Sequence, residues 1–137
     1  MFNFKQNKNM KNKLSAVSAF HLAFGLGVNN TPTTEIDEAT MNLRFSLMDE
    51  ENKEYLDAMK NKDLIEVADA LGDMLYILCG TIITHGMQDV IDKVFEEIQR
   101  SNMSKLGSDG KPIYREDGKV LRGPNYFKPD ISKVLRQ

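Results

Sequence analysis

One cysteine, two histidines and no tryptophan occur among 137 residues, and the formal charge is only −2. Each shortage removes a class of protein. A lone Cys79 forms no internal disulfide, and on an apolar segment it reads as a buried thiol in a reducing compartment, so a cytoplasmic protein is expected. The weak negative charge argues against general nucleic-acid binding, which needs a basic surface for phosphates. No stretch reaches about eighteen uninterrupted apolar residues, so no membrane span is expected. Lys5, Lys8, Lys11 and Lys13 ahead of Leu14 imitate the start of a signal peptide. Ser15, Ser18 and His21 interrupt the apolar run that follows, and no clear small-residue cleavage site succeeds it. Neither His21 nor His85 lies three residues after a glutamate, which weakens a di-iron carboxylate reading.

What the chain does have is carboxylate where core residues belong. On a helical wheel Ile36, Thr40, Leu43, Glu51, Glu54 and Ala58 fall within about 40° of Leu47. Two acids therefore interrupt an apolar stripe, with Glu50 at its edge. Further on, Ile65, Asp69, Asp73, Tyr76, Gly80 and Ile83 share a stripe flanked by Glu66, on a helix otherwise apolar nearly all round. Asn61-Lys62-Asp63 reads as the turn between the two helices, with Asp63 as the cap. Glu51 and Glu54 precede Lys62 by eleven and eight residues, and Asp69 and Asp73 follow it by seven and eleven. In an antiparallel hairpin these acids come level.

Carboxylates converging in a poorly solvated place repel one another and lose hydration, at several kcal/mol each. A hard divalent cation offsets that cost, and an all-oxygen shell suits Mg²⁺ or Mn²⁺. Glu51, Glu54, Asp69 and Asp73 are the candidate ligands. The plain alternative is a solvated acidic face partnered by i,i+4 lysines such as Lys53 and Lys60, on a non-catalytic helical interaction module.

Along the chain, residues 1–12 are Asn- and Lys-rich and expected to be poorly ordered. The domain then runs from 13 to 106, and a basic extension from 107 to 137. A short helix is predicted from Lys13 to Phe24; on its plain reading Phe20 and Phe24 are core and His21 is partly exposed, and the other reading makes the segment a cover over a ligand. Thr34 is the predicted cap of a helix from Glu35 to Lys60. The second long helix runs from Leu64 to His85 and stops at Gly86. A third begins at Gln88 or Asp89 and ends near Arg100. Beyond it, Ile113–Arg115 and Lys119–Leu121 around Asp117-Gly118 make a small β-hairpin. The fold class is all-α, a helical bundle with a short irregular or hairpin tail. A helix apolar all round is not buried by so few partners, so a homodimer or homotetramer is expected.

Glu50-Glu51-Asn52-Lys53-Glu54 and Asp69-Ala70-Leu71-Gly72-Asp73-Met74-Leu75-Tyr76 resemble the E-E-x-x-E and E-x-x-D motifs of the all-α NTP pyrophosphohydrolases, the superfamily of MazG and phosphoribosyl-ATP pyrophosphohydrolase. The likeness extends to Phe20–Gly25, to Arg100–Lys105 and to the Asp109–Lys119 tail, which is similar to one MazG-like subgroup. One departure stands out. If Asp73 takes the family aspartate, Ala70 occupies the glutamate position and Asp69 substitutes; if Asp69 takes it, Glu66 completes the motif. The resemblance implies Mg²⁺-dependent cleavage of an NTP or dNTP between the α- and β-phosphates, with phosphoribosyl-ATP as an alternative substrate. It implies Glu50 or Glu51 as the base for water. Asn102, Lys105 and Arg115 would grip the polyphosphate, and Phe20, His21 and Phe24 would close over base or sugar.

Overall fold

The computed structural model describes the backbone of residues 4–137 and the side chains from residue 9 onward. Five helices occur among the described residues: α1 (Phe4–Ala23), α2 (Glu38–Lys60), α3 (Leu64–Thr84), α4 (Ile91–Met103) and α5 (Ile131–Leu135). The chain divides into two compact units, Met1–Gln88 and Asp89–Gln137. Residues 1–3 of the segment expected to be poorly ordered lie outside the described residues. Residues 4–12 belong to α1, which starts at Phe4 rather than Lys13.

In the first unit α1 and α2 both pack on α3. The core is made by Leu14, Val17 and His21 of α1, Ala58 of α2, and Ala70, Cys79, Ile82 and Ile83 of α3. Small residues at Ala58 and Ala70 let α2 and α3 approach closely near their shared turn. That turn is where the spacing put it. Asp63 N–H donates to the Ala58 carbonyl at 3.0 Å and Lys62 N–H to the Met59 carbonyl at 3.1 Å, which closes the end of α2. Lys62 takes the left-handed φ of 50° that this closure requires. Asp63 then caps α3 by accepting from Glu66 N–H at 3.1 Å.

The start of α2 differs from expectation. Asp37, not Thr34, is the cap, accepting from Thr40 N–H at 3.0 Å. Thr33 and Thr34 instead spend their oxygens on the Glu35 and Ile36 amides, which holds this stretch in tight turns. The preceding loop is strapped to the end of α3. Asn29 donates to the Thr84 carbonyl, and the His85 ring bonds the Thr33 carbonyl at 2.9 Å. Gly86, at φ 67°, stops α3 as predicted; a Cβ there would stand 2.1 Å from the Thr31 carbonyl oxygen.

By length and mean hydropathy of 1.5, α3 matches a membrane span. Its acids and its place between α1 and α2 mark it instead as the central helix of this unit. Much of its apolar surface is open in the single chain, with Leu64 81% and Ile65 78% exposed. Phe45 on α2 is 72% exposed.

In the second unit α4 begins at Ile91, slightly later than expected, and packs on α5. The 113–121 segment turns back on itself with one antiparallel bridge, Tyr114 to Val120, and no named strand occurs among the described residues. Two serines of α4 fasten the return of the chain. Ser101 Oγ donates to the Phe127 carbonyl at 2.8 Å, and Ser104 Oγ accepts from the Phe127 amide at 3.2 Å.

Candidate active site

The α2–α3 hairpin brings Glu50, Glu51, Glu54 and Asp73 into one electrostatic group. Glu51 is its centre. Its pKa is pushed up to about 7, first by burial, then by a hydrogen-bonding contact with Glu54, and then by the charges of Glu54, Asp73 and Glu50. Glu51 Oε2 is shut off from solvent and has no hydrogen-bond partner. A buried carboxylate oxygen with no donor is costly unless a proton or a cation meets it. Asp73 is half-buried, whereas Glu50 and Glu54 stand at the exposed edge.

Asp69 and Glu66 are exposed on α3, and neither is among the charges that raise Glu51. The α3 acid joined to Glu51 is therefore Asp73. Among the described residues, no three His, Cys, Asp or Glu side chains are drawn together as tightly as a closed metal cage requires. Mutual repulsion between these carboxylates favours a loose set. Lysine partners do not relieve it: Lys53 turns to Asp49 at 2.8 Å, an exposed pair outside the group. The donor set is all oxygen, one donor is buried and unsatisfied, and this fits a hard divalent cation better than zinc or copper.

The aromatic residues lie at the α1–α3 seam. Phe20 and Phe24 stack with centroids 4.4 Å apart, and Phe20 meets Tyr76 edge-on at 5.7 Å. Phe20 is 39% and Phe24 69% exposed, so both present ring surface to solvent rather than lying in the core. His21, expected to be partly exposed, is buried, and its Nδ1 bonds the Gly27 carbonyl at 3.0 Å. An apolar hollow of about 220 Å³ opens beside Tyr76, lined by Val17, Gly72, Leu75 and Cys79 with Lys13 at its rim. Burial in these surroundings raises the Cys79 thiol, which keeps it protonated and inert.

In the second unit Asn102 is exposed and Lys105 half-buried. Lys105 makes no ion pair among the described residues. Arg115 is tied to Asp117 across the turn, donating from Nε at 2.9 Å, and part of its charge is already spent.

Sequence reasoning passed over Arg44 and gave Gly80, Ser101 and Ser104 no role of their own. Arg44 was visible as a charge seven residues before Glu51 on the same stripe, and Gly80 as the residue that interrupts the apolar run of α3. The serines carried no local signal, because their partner is Phe127.

An all-helical unit whose helix hairpin gathers carboxylates defines a class of helical proteins with an acidic site between two antiparallel helices. Residues 17–102 match the phosphoribosyl-ATP pyrophosphohydrolase family, and the chain belongs to it, within the superfamily that also holds MazG. It is accordingly a pyrophosphohydrolase. The chain is also similar to a solved structure from Exiguobacterium sp. 255-15, provisionally described as an NTP pyrophosphohydrolase, at 27% identity over 92% of this chain and 95% of that one, with a TM-score of 0.47. No curated protein sequence matches the chain.

Proposed function

We propose that the chain hydrolyses an NTP or dNTP between the α- and β-phosphates, giving the monophosphate and pyrophosphate. The observation that carries this reading is Glu51, with a buried, unpartnered Oε2 beside Glu54 and Asp73. Glu51, Glu54 and Asp73 would hold Mg²⁺ or Mn²⁺, with Asp69 or Glu66 completing the set. When bound, such a cation neutralises phosphate charge and lowers the pKa of a nearby water. Glu50, at the exposed edge, is the carboxylate least committed to the group and the one suited to take the proton of the attacking water, with Glu51 as the other candidate. The water oxygen bonds the α-phosphorus, the bond to the bridging oxygen breaks, and pyrophosphate departs with the electron pair. In the first unit the Phe20–Phe24 pair offers a face for the base; Lys105, Asn102 and Arg115 of the second unit are the candidate polyphosphate contacts, given by the same chain or by a neighbouring subunit.

Phe45 on α2 and Leu64 and Ile65 on α3 stand exposed in the single chain, and a homodimer or homotetramer would give them cover. The single buried thiol is compatible with the cytoplasm. The matching family favours phosphoribosyl-ATP as the second substrate to try. The test is pyrophosphate release across NTPs, dNTPs and phosphoribosyl-ATP with Mg²⁺, using Glu51→Gln as the inactive control and light scattering for the assembly. Absence of turnover on the whole panel would refute the reading.

A further inference from the structure

Arg44 lies seven residues before Glu51 on α2, and Gly80 seven after Asp73 on α3, so each stands about two turns along the stripe that carries its acid. Across the seam, Arg44 donates from Nε to Thr81 Oγ1 at 3.0 Å and from Nη2 to the Ile77 carbonyl at 2.7 Å. A Cβ on Gly80 would stand 2.5 Å from Arg44 Nη2 and 2.8 Å from His21 Nε2. Only a residue without a side chain lets the guanidinium and the imidazole come so close to α3. Arg44 has no carboxylate partner among the described residues. Burial lowers its pKa, yet a guanidinium stays charged.

A half-buried cation that spends its donors on a hydroxyl and a carbonyl is an expensive way to join two helices, and apolar packing would be cheaper. What it adds is direction. Apolar ridges recur every turn, so they define helix register weakly, whereas the planar fork of arginine fits only one alignment. Arg44 precedes Lys62 by eighteen residues and Thr81 follows it by nineteen, while Glu51 and Asp73 each stand eleven away. The two contacts share one antiparallel register. A slip of one turn, about 5.4 Å, would carry Asp73 away from Glu51.

We propose that Arg44 is a positioning residue of the carboxylate site: through Ile77, Thr81 and the space left by Gly80, it sets the register that brings Asp73 to Glu51. This rests on the reading that these acids bind a divalent cation.

The test titrates Mn²⁺ by calorimetry into full-length wild-type, Arg44→Met, Thr81→Val and Leu14→Ala proteins, with thermal unfolding measured alongside. Thr81→Val removes one acceptor while keeping the side-chain outline, and serves if Arg44→Met does not fold. Leu14→Ala destabilises the core from α1, away from the seam. Mn²⁺ affinity is expected to fall about tenfold in Arg44→Met and measurably in Thr81→Val, and to stay within about twofold of wild type in Leu14→Ala. Unchanged affinity in both seam variants overturns the inference, as does an equal loss in Leu14→Ala, because affinity would then track stability alone. A wild-type protein that binds no Mn²⁺ overturns the cation reading and this inference together, which separates the two failures.

Discussion

The charge of Asp73 on α3 reaches Glu51 of α2 across the helix hairpin and, after burial and Glu54, helps to push the Glu51 carboxyl up to about 7. Two acids eleven residues on either side of a turn are thus brought into one electrostatic neighbourhood.

The first prediction concerns pH. Folded Glu51 titrates at about 7 against 4.5 for the ordinary side chain. Between those values the folded state binds more protons than the unfolded one, so the contribution of Glu51 to stability falls as pH rises through that window and is fully lost above it. Without metal, wild type should melt progressively lower from pH 5 to pH 8 relative to Glu51→Gln, which lacks this dependence. On the proposed cation reading Mg²⁺ would compete with the same proton, so its stabilisation of wild type should be larger at pH 8 than at pH 5.5. Melting curves in buffers with and without Mg²⁺ check both signs.

A second prediction separates two cations of the basic segment. Lys105 carries no ion pair among the described residues, whereas Arg115 is held by Asp117. Removing one charge-assisted bond to phosphate costs about 1.5–3 kcal/mol, a tenfold or greater loss. Lys105→Ala is expected to raise KM for a nucleoside triphosphate by about that factor, and Arg115→Ala by less than half of it. Steady-state kinetics on both variants would show a reversed order if Arg115 were the main grip.

The third concerns backbone conformation. Lys62 holds φ 50° at the α2–α3 turn, where a side chain costs about 1–2 kcal/mol. Lys62→Gly should therefore stabilise the protein, by roughly 0.5–1 kcal/mol after the added freedom of glycine in the unfolded chain. Gly86→Ala runs the other way, because its left-handed backbone and the Thr31 carbonyl at 2.1 Å leave a Cβ no room. Urea unfolding of both variants measures the opposite signs.

Local chemistry was legible where it acts over a few residues. The Asn61–Asp63 turn, the Asp63 cap and the Gly86 stop could all be read from the chain, as could the levelling of Glu51 with Asp73. The Asp37 cap was hidden because Thr33 and Thr34 are good caps too, and their hydroxyl and carbonyl were taken by neighbouring amides. His21 looked half-exposed on its own helix, since its burial depends on α2 and α3. Spacing put Asp69 level with Asp73 and left Asp69 and Glu66 open as the fourth acid; Asp69 and Glu66 both prove exposed, one or two turns nearer the hairpin turn than Asp73.

The backbone N–H and carbonyl of Phe127 are both held by serine hydroxyls, Ser104 at the end of α4 and Ser101 within it. The run from Lys105 to Tyr126 is therefore a tethered ring of chain, not a loose end. Its ordering cost is met when the protein folds, so on the proposed reading Lys105 would have less freedom to surrender on meeting a phosphate, and capture would be tighter for that rigidity.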